Sequence, residues 1–261
     1  NGTAGDGDFA TAAELRAVWD IAVSSTGIIY IADSNRIRSI SGGIINSVLN
    51  TAGATPTQLD PPSTGLATSS AVNTVKSIVV DGSNIYFTET GFSTSRVASF
   101  SVGGLITTEA GVGTSGYSGD GGLATAAQVN NPSGLAMDGS NNLYLGDRDN
   151  FRVRKVVSGV INTIGGVGSG FLGEGVQAET ASLFHPQNVA VDAAGNIFIA
   201  DSDNHRIRKV DTNGDIFTIA GTGTNGDTGD GGFATAALIS NPRGLAIDSQ
   251  GHLYMALVGT N

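Results

Sequence analysis

The chain has no cysteine among its 261 residues, so neither disulfides nor cysteine-ligated zinc can hold it together. Basic residues are scarce, 13 Lys and Arg against 23 Asp and Glu, and the formal charge of −10 repels phosphate backbones and anionic lipid. Nucleic acid is therefore not expected as a partner. No run approaches the roughly 18 consecutive apolar residues of a membrane helix, so membrane insertion is not expected either. Residue 1 opens a Gly/Asp loop rather than a basic, apolar signal peptide. Aromatic residues make up only 6% and charged residues 14%, yet apolar residues reach 39%, too many for a disordered chain. What is abundant is glycine, 39 residues, as a fold rich in tight turns requires.

The chain repeats itself. The stretch from Gly119, GDGGLATAAQVNNPSGLAMDGSNNLYLGDRDNFRVRKV, recurs from Gly229 as GDGGFATAALISNPRGLAIDSQGHLYMALVGTN and from Gly5 as GDGDFATAAELRAVWDIAVSSTGIIYIADSNRIRSI. Two further copies are more diverged. Aligning the residue that ends the first apolar run gives Ser24, Asp81, Asp138, Asp192 and Asp248, spaced by 57, 57, 54 and 56 residues. Eighteen residues upstream of each stand Asp6, Ser63, Asp120, Glu174 and Asp230, so the loop ahead of the strand repeats in register as well. The units span about 1–53, 54–111, 112–166, 167–221 and 222–261.

Within a unit the alternation of short apolar runs and turn residues predicts four strands. In the fourth, Val189-Ala190-Val191 and Ile197-Phe198-Ile199-Ala200 flank a turn at Ala193-Ala194-Gly195-Asn196. Arg206-Ile207-Arg208-Lys209-Val210 and Ile216-Phe217-Thr218-Ile219-Ala220 follow. Four antiparallel strands every 55 or so residues fit a β-propeller blade with a long linker loop. In that linker an Ala-Thr-Ala-Ala segment recurs from Ala10, Ala124 and Ala234, and a helical turn there would lay Leu15, Val129 or Ile239 against the blade.

Residues 183–221 resemble the NHL-repeat β-propellers. They carry a Pro before the first strand, Asp and Gly-Asn at the first turn, Ala-Asp closing the second strand, then Asn-His-Arg-Ile-Arg-Lys-Val. Residues 132–166 match nearly as well, whereas residues 75–111 depart, with Thr88-Glu89 for Ala-Asp and no Asn-His-Arg. The resemblance implies an all-β propeller of four-stranded antiparallel blades, four complete and half of a fifth. It does not imply one activity, because the family includes binders, scaffolds and several enzymes. Members usually close with six blades, so the expectation is a single propeller that forms part of a longer chain or assembly. The alternative is that a neighbouring copy supplies the missing strands through the open blade edges, giving a ring or a filament.

Because the second strand runs antiparallel to the first, the linker and the loop after the second strand share one end of the blade. Candidate binding residues at that end are Asp33, Asp147, Asp201, Asp203, His185, His205 and Arg206, and the turns with Asp81, Asp138, Asp192 and Asp248 lie at the other. A catalytic zinc needs about three converging ligands, and of the three histidines His252 belongs to the opposite end while His185 and His205 belong to one unit. The expectation is structural: His205 hydrogen-bonds a loop backbone and His185 ends a linker. No serine sits in a Gly-x-Ser-x-Gly elbow leading into a helix.

Asp6, Asp120 and Asp230 lie among glycines whose carbonyls could turn toward Ca²⁺, which makes them the calcium candidates, although no cofactor is required by the pattern. The Arg36/Arg38, Arg152/Arg154/Lys155 and Arg206/Arg208/Lys209 groups alternate along third strands and are expected to pair with acids across adjacent blades rather than bind RNA. Asn1-Gly2-Thr3 is an N-glycosylation sequon.

These features describe a non-catalytic binding or structural module, extracellular or on a cell surface, that contacts protein or glycan or assembles with itself. The alternative is a lyase- or hydrolase-type propeller enzyme with a channel-mouth site, for which the catalytic cluster is missing.

Overall fold

The computed structural model describes residues 5–50, 65–91 and 94–259. It is built from antiparallel sheets and single 3-10 turns, in two compact units, residues 1–115 with 124–131 and residues 116–123 with 132–261.

The first unit holds two blades. One runs β1 (Val18–Val23), β2 (Ile29–Asp33), β3 (Arg36–Ser41) and β4 (Ile44–Leu49); the other runs β5 (Thr74–Asp81), β6 (Asn84–Gly91), β7 (Thr94–Ser101) and β8 (Thr107–Gly113). Period-2 alternation gives each blade two apolar faces, and blade packs on blade through them. Ala22 and Tyr30 from one blade share a cluster with Ile78, Val80 and Ile85 of the next.

The second unit repeats the plan. Its first sheet is β9 (Gly122–Leu123), β10 (Pro132–Met137), β11 (Leu143–Asp147), β12 (Arg152–Val157) and β13 (Val160–Gly165). Its second is β14 (Val176–Gln177), β15 (Pro186–Val191), β16 (Ile197–Asp201), β17 (Arg206–Val210) and β18 (Asp215–Ala220), and its third is the two-stranded hairpin β19 (Pro242–Ile247) and β20 (Leu253–Leu257). The strands predicted from Val189 to Ala220 are all present, with β15 beginning three residues earlier, at Pro186.

The long linkers have a structural task that periodicity did not announce. The linker lays a short extra strand on the outermost edge of its own sheet, β9 on β13 and β14 on β18, with single bridges Phe9 to Ile44 and Leu66 to Leu105 at the same place. An unpaired outer strand would otherwise present free N–H and C=O groups for edge-to-edge association.

The Ala-Thr-Ala-Ala segment, or Ala-Glu-Thr-Ala from Ala178 in the fourth repeat, then forms a 3-10 turn and docks on the end of the preceding fourth strand. The amides of Gly166 and Val167 donate to the carbonyls of Ala178 and Ala181, and those of Gly221 and Thr222 to Ala234 and Ala237. Val129, Leu183 and Ile239 are buried by this docking, as expected for Val129 and Ile239, while Leu15 remains exposed.

Candidate functional site

At the end shared by the linker and the loop after the second strand, most of the repeated charge is consumed in building the blade. The carboxylate closing the second strand turns inward in every complete repeat, and Asp33, Glu89, Asp147 and Asp201 are all buried. Asp33 Oδ1 accepts from the Arg16 and Ala17 amides at 2.7 and 3.1 Å, and Asp201 Oδ1 from the Phe184 amide at 2.7 Å. Each thereby pins the point where a linker enters its first strand. Glu89 does the same with the Asn73 amide at 2.9 Å and holds Arg96 at 2.7 Å, so the departure at Thr88-Glu89 keeps the carboxylate and its role.

The second arginine of the third strand is the counter-charge. Arg38, Arg154 and Arg208 are among the largest fully buried side chains. Arg154 lies between Asp120 at 2.6 Å and Asp147 at 3.2 Å and donates to the Ser118 carbonyl at 3.1 Å. Arg38 pairs with Asp6 at 2.6 Å, and Arg208 with Glu174 at 3.5 Å and Asp201 at 3.8 Å. All these pairs lie within one repeat, joining the linker or the second strand to the third strand, and this corrects the expectation of pairing across adjacent blades. The reason is topological: the linker enters beside its own second-to-third strand loop, so its acid meets its own blade's arginine first.

The same geometry takes up two of the calcium candidates. Although burial pushes Asp120 up, hydrogen bonds from Thr163 and Tyr117 and the charge of Arg154 hold it below the ordinary carboxylate range; Ser47 and Arg38 do so for Asp6. In each case a guanidinium holds one carboxylate oxygen, Oδ1 of Asp6 or of Asp120. Asp230 is exposed, and among the described residues no group of three or more His, Asp or Glu gathers in a way that could hold a metal ion. Asn1 lies outside the described residues.

Burial pushes Asp201 up to about 6, against the pull of the Phe184 amide, Asn204 and Arg208.

The remaining candidates, His185, Asp203, His205 and Arg206, form a partly exposed strip in the second unit. The loops after β11 and β16 each make a 3-10 turn, at Arg148–Asn150 and Ser202–Asn204, closed by a left-handed residue, Phe151 or His205. Asn150 and Asn204 tie these turns to the linkers through the Gly116 and Gly170 carbonyls at 2.7 and 2.6 Å. His185 sits between two such turns, with Nδ1 2.6 Å from Asp203 and Nε2 3.8 Å from Asp149. The carboxylates contact opposite ring nitrogens and so do not converge on a point where a metal or a reacting atom could sit. The His185 ring stacks near Phe184 and Phe151, at 4.8 and 5.1 Å. His205 Nδ1 accepts from the Asn241 amide at 3.2 Å, the backbone bond expected of it.

Two residues of this strip escaped the sequence reading. Tyr117 and Phe171, 54 residues apart like their repeats, each lie under an arginine of the third strand. Arg152 is 3.9 Å from the Tyr117 ring centre and Arg206 3.7 Å from that of Phe171. Each arginine also donates to two loop carbonyls, Arg152 to Asn150 and Val167 and Arg206 to Asn204 and Thr222. Both rings stay partly open to solvent. Their equal spacing from Asp120 and Glu174 was the available signal.

The family model for the Teneurin NHL domain matches residues 156–227. Human Teneurin-1 is 31% identical over 223 residues, which cover 75% of this chain. The chain belongs to the NHL-repeat β-propeller family. It spans 8% of the length of Teneurin-1. Among solved structures, the fold resembles an auxiliary nutrient binding protein from Bacteroides ovatus, with a TM-score of 0.59 and 16% identity, covering 92% of this chain and 56% of that one. It also resembles virginiamycin B lyase from Staphylococcus aureus, with a TM-score of 0.54 and 15% identity over 92% and 63%. A binding protein and an enzyme thus share the β-propeller architecture with the chain, and the likeness to them is one of fold alone.

Proposed function

We propose that this NHL propeller is a non-catalytic protein-binding module displayed outside the cell, and that it engages its partner with the strip running from Tyr117 and Arg152 through Asp149, His185 and Asp203 to Arg206 and Phe171. The observation that carries the reading is the pair of repeated, partly open arginine–aromatic stacks, Arg152 on Tyr117 and Arg206 on Phe171. Arginine and aromatic residues dominate the energetics of protein interfaces, and here both pairs are held rigid by their bonds to loop carbonyls, so little entropy is lost on binding. The similarity to Teneurin-1 and the match to the Teneurin NHL domain support a binding module. Light charge and Ser/Thr/Gly-rich loops support an extracellular or cell-surface setting, and glycan contact through the same strip is the narrower alternative.

The test is affinity capture from an extract of the source cells followed by measurement of the captured partner's affinity. A Tyr117→Ser/Phe171→Ser double variant with unchanged circular dichroism should bind at least tenfold more weakly. Equal binding by the variant would remove the strip from the account.

A further inference from the structure

The tetrapeptide Thr-Asn-Gly-Asp occurs twice in the chain, at 212–215 and at 224–227. An asparagine before glycine is chemically labile, because no side chain hinders the glycine nitrogen as it approaches the preceding side-chain carbonyl. Two such sites would react alike in an unfolded chain. The fold treats them differently.

At the first, in the turn between β17 and β18, the attacking nitrogen is engaged. The Gly214 amide donates to the Asp211 carbonyl at 3.0 Å. The Asn213 amide donates to Asp211 Oδ1 at 2.9 Å and its Nδ2 to Oδ2 at 3.4 Å, so the side chain is turned back on Asp211. Cyclisation there must first break the turn. At the second, in the linker after β18, the nitrogen is free and the carbonyl is primed. Among the described residues the Gly226 amide donates no hydrogen bond, and Asn225 is exposed. The buried Ser240 hydroxyl donates to Asn225 Oδ1 at 2.5 Å. A donor at that oxygen draws charge from Cγ, and its bond strengthens as the oxygen turns negative during addition. Packing fixes the glycine, since a Cβ on Gly226 would lie 2.8 Å from that of Leu238. The counterparts of Asn225 in the two preceding repeats, Ser115 and Ser169, are exposed too, so the exposure belongs to this position of the linker.

We propose that Asn225 is a site of spontaneous covalent modification, where the Gly226 nitrogen closes a succinimide with the Ser240 hydroxyl stabilising the developing oxyanion. The Gly226 nitrogen gives its proton to solvent and bonds to Asn225 Cγ; the Cγ–Nδ2 bond breaks and ammonia departs. Water then opens the ring at either carbonyl and leaves aspartate or isoaspartate. The product sets a negative charge beside Ser240. In the isoaspartate form it also adds a methylene to the main chain three residues past Thr222, whose carbonyl holds Arg206. The chemistry does not depend on the partner-binding reading of the strip.

Peptide mapping by mass spectrometry tests it, on protein held at body temperature and mildly alkaline pH. Conversion at each site is read from the mass gain of amide to acid, and the two products are separated by chromatography. In the folded protein Asn225 should convert at least about tenfold faster than Asn213, the factor expected from about 1.4 kcal/mol of barrier. In urea the two rates should converge, because the local sequences are identical. Folded Ser240→Ala, checked by circular dichroism, should slow Asn225 about tenfold and leave Asn213 unchanged. The comparison of the two sites in the wild type needs no variant, so it decides the matter even where Ser240→Ala does not fold. Equal rates at Asn225 and Asn213 in the folded wild type would overturn the proposal. A difference that persists in urea would do the same, as would an unchanged rate at Asn225 in folded Ser240→Ala.

Discussion

At the residue scale the chain's charges divide into those that build and those that remain on the surface. Arg154, fully buried between Asp120 and Asp147, is of the first kind. Replacing it by Met strands a buried carboxylate, and the expected loss is about 3–5 kcal/mol in urea unfolding. Arg148, paired with Asp149 on the surface, is of the second kind, and Arg148→Met should cost about 0–1 kcal/mol. Asp201 gives a pH signature. Its folded pKa of about 6 stands above the ordinary 3.8, so its contribution to stability is fully present below the ordinary value and is lost as pH rises through about 6. Carboxyl-carbon NMR should show one aspartate with its midpoint near 6; a midpoint at or below the ordinary value would contradict the burial argument. The turn aspartate Asp248 should titrate at about 2, held down by the amide and ring of His252 and the amide of Gln250.

At the element scale, what periodicity encodes was legible and what loops do with side chains was only partly so. Apolar alternation and turn residues fixed four strands per repeat because burial enforces them locally. The turn aspartates Asp138, Asp192 and Asp248 read correctly for the same reason, each accepting amides two and four residues on. The inward turn of Asp33 and Asp201, and the short strands β9 and β14, depend on contacts across 16 or more residues, which no local pattern carries. Glu89 shows the point from the other side: it breaks the Ala-Asp motif yet performs its task, because a longer side chain still reaches the Asn73 amide.

The glycine that follows the fourth strand is a further device of this kind. Gly166 and Gly221 have φ of +89° and +88°, and an added Cβ would lie 2.3 Å from the Phe151 or His205 carbonyl oxygen. Gly221→Ala therefore adds overpacking to left-handed strain, each about 1–3 kcal/mol. Gly251, at φ +86° with open space around it, carries the strain alone. Thermal unfolding should place G221A clearly below G251A.

At the scale of the whole molecule, the repeat leaves a short inventory of groups free to act. The buried Arg–carboxylate clamps account for the basic and acidic residues that a reader of the sequence would first assign to catalysis or metal binding. Among the described residues they leave the Tyr117-to-Phe171 strip, the surface on which the proposed partner would sit. Hydrogen–deuterium exchange on the complex with the captured partner tests this most directly. The account predicts new protection at 116–118, 148–152, 170–172 and 202–206, with the turns at Asp138, Asp192 and Asp248 unchanged. Protection confined to those turns, with the strip exchanging as in the free chain, would contradict it.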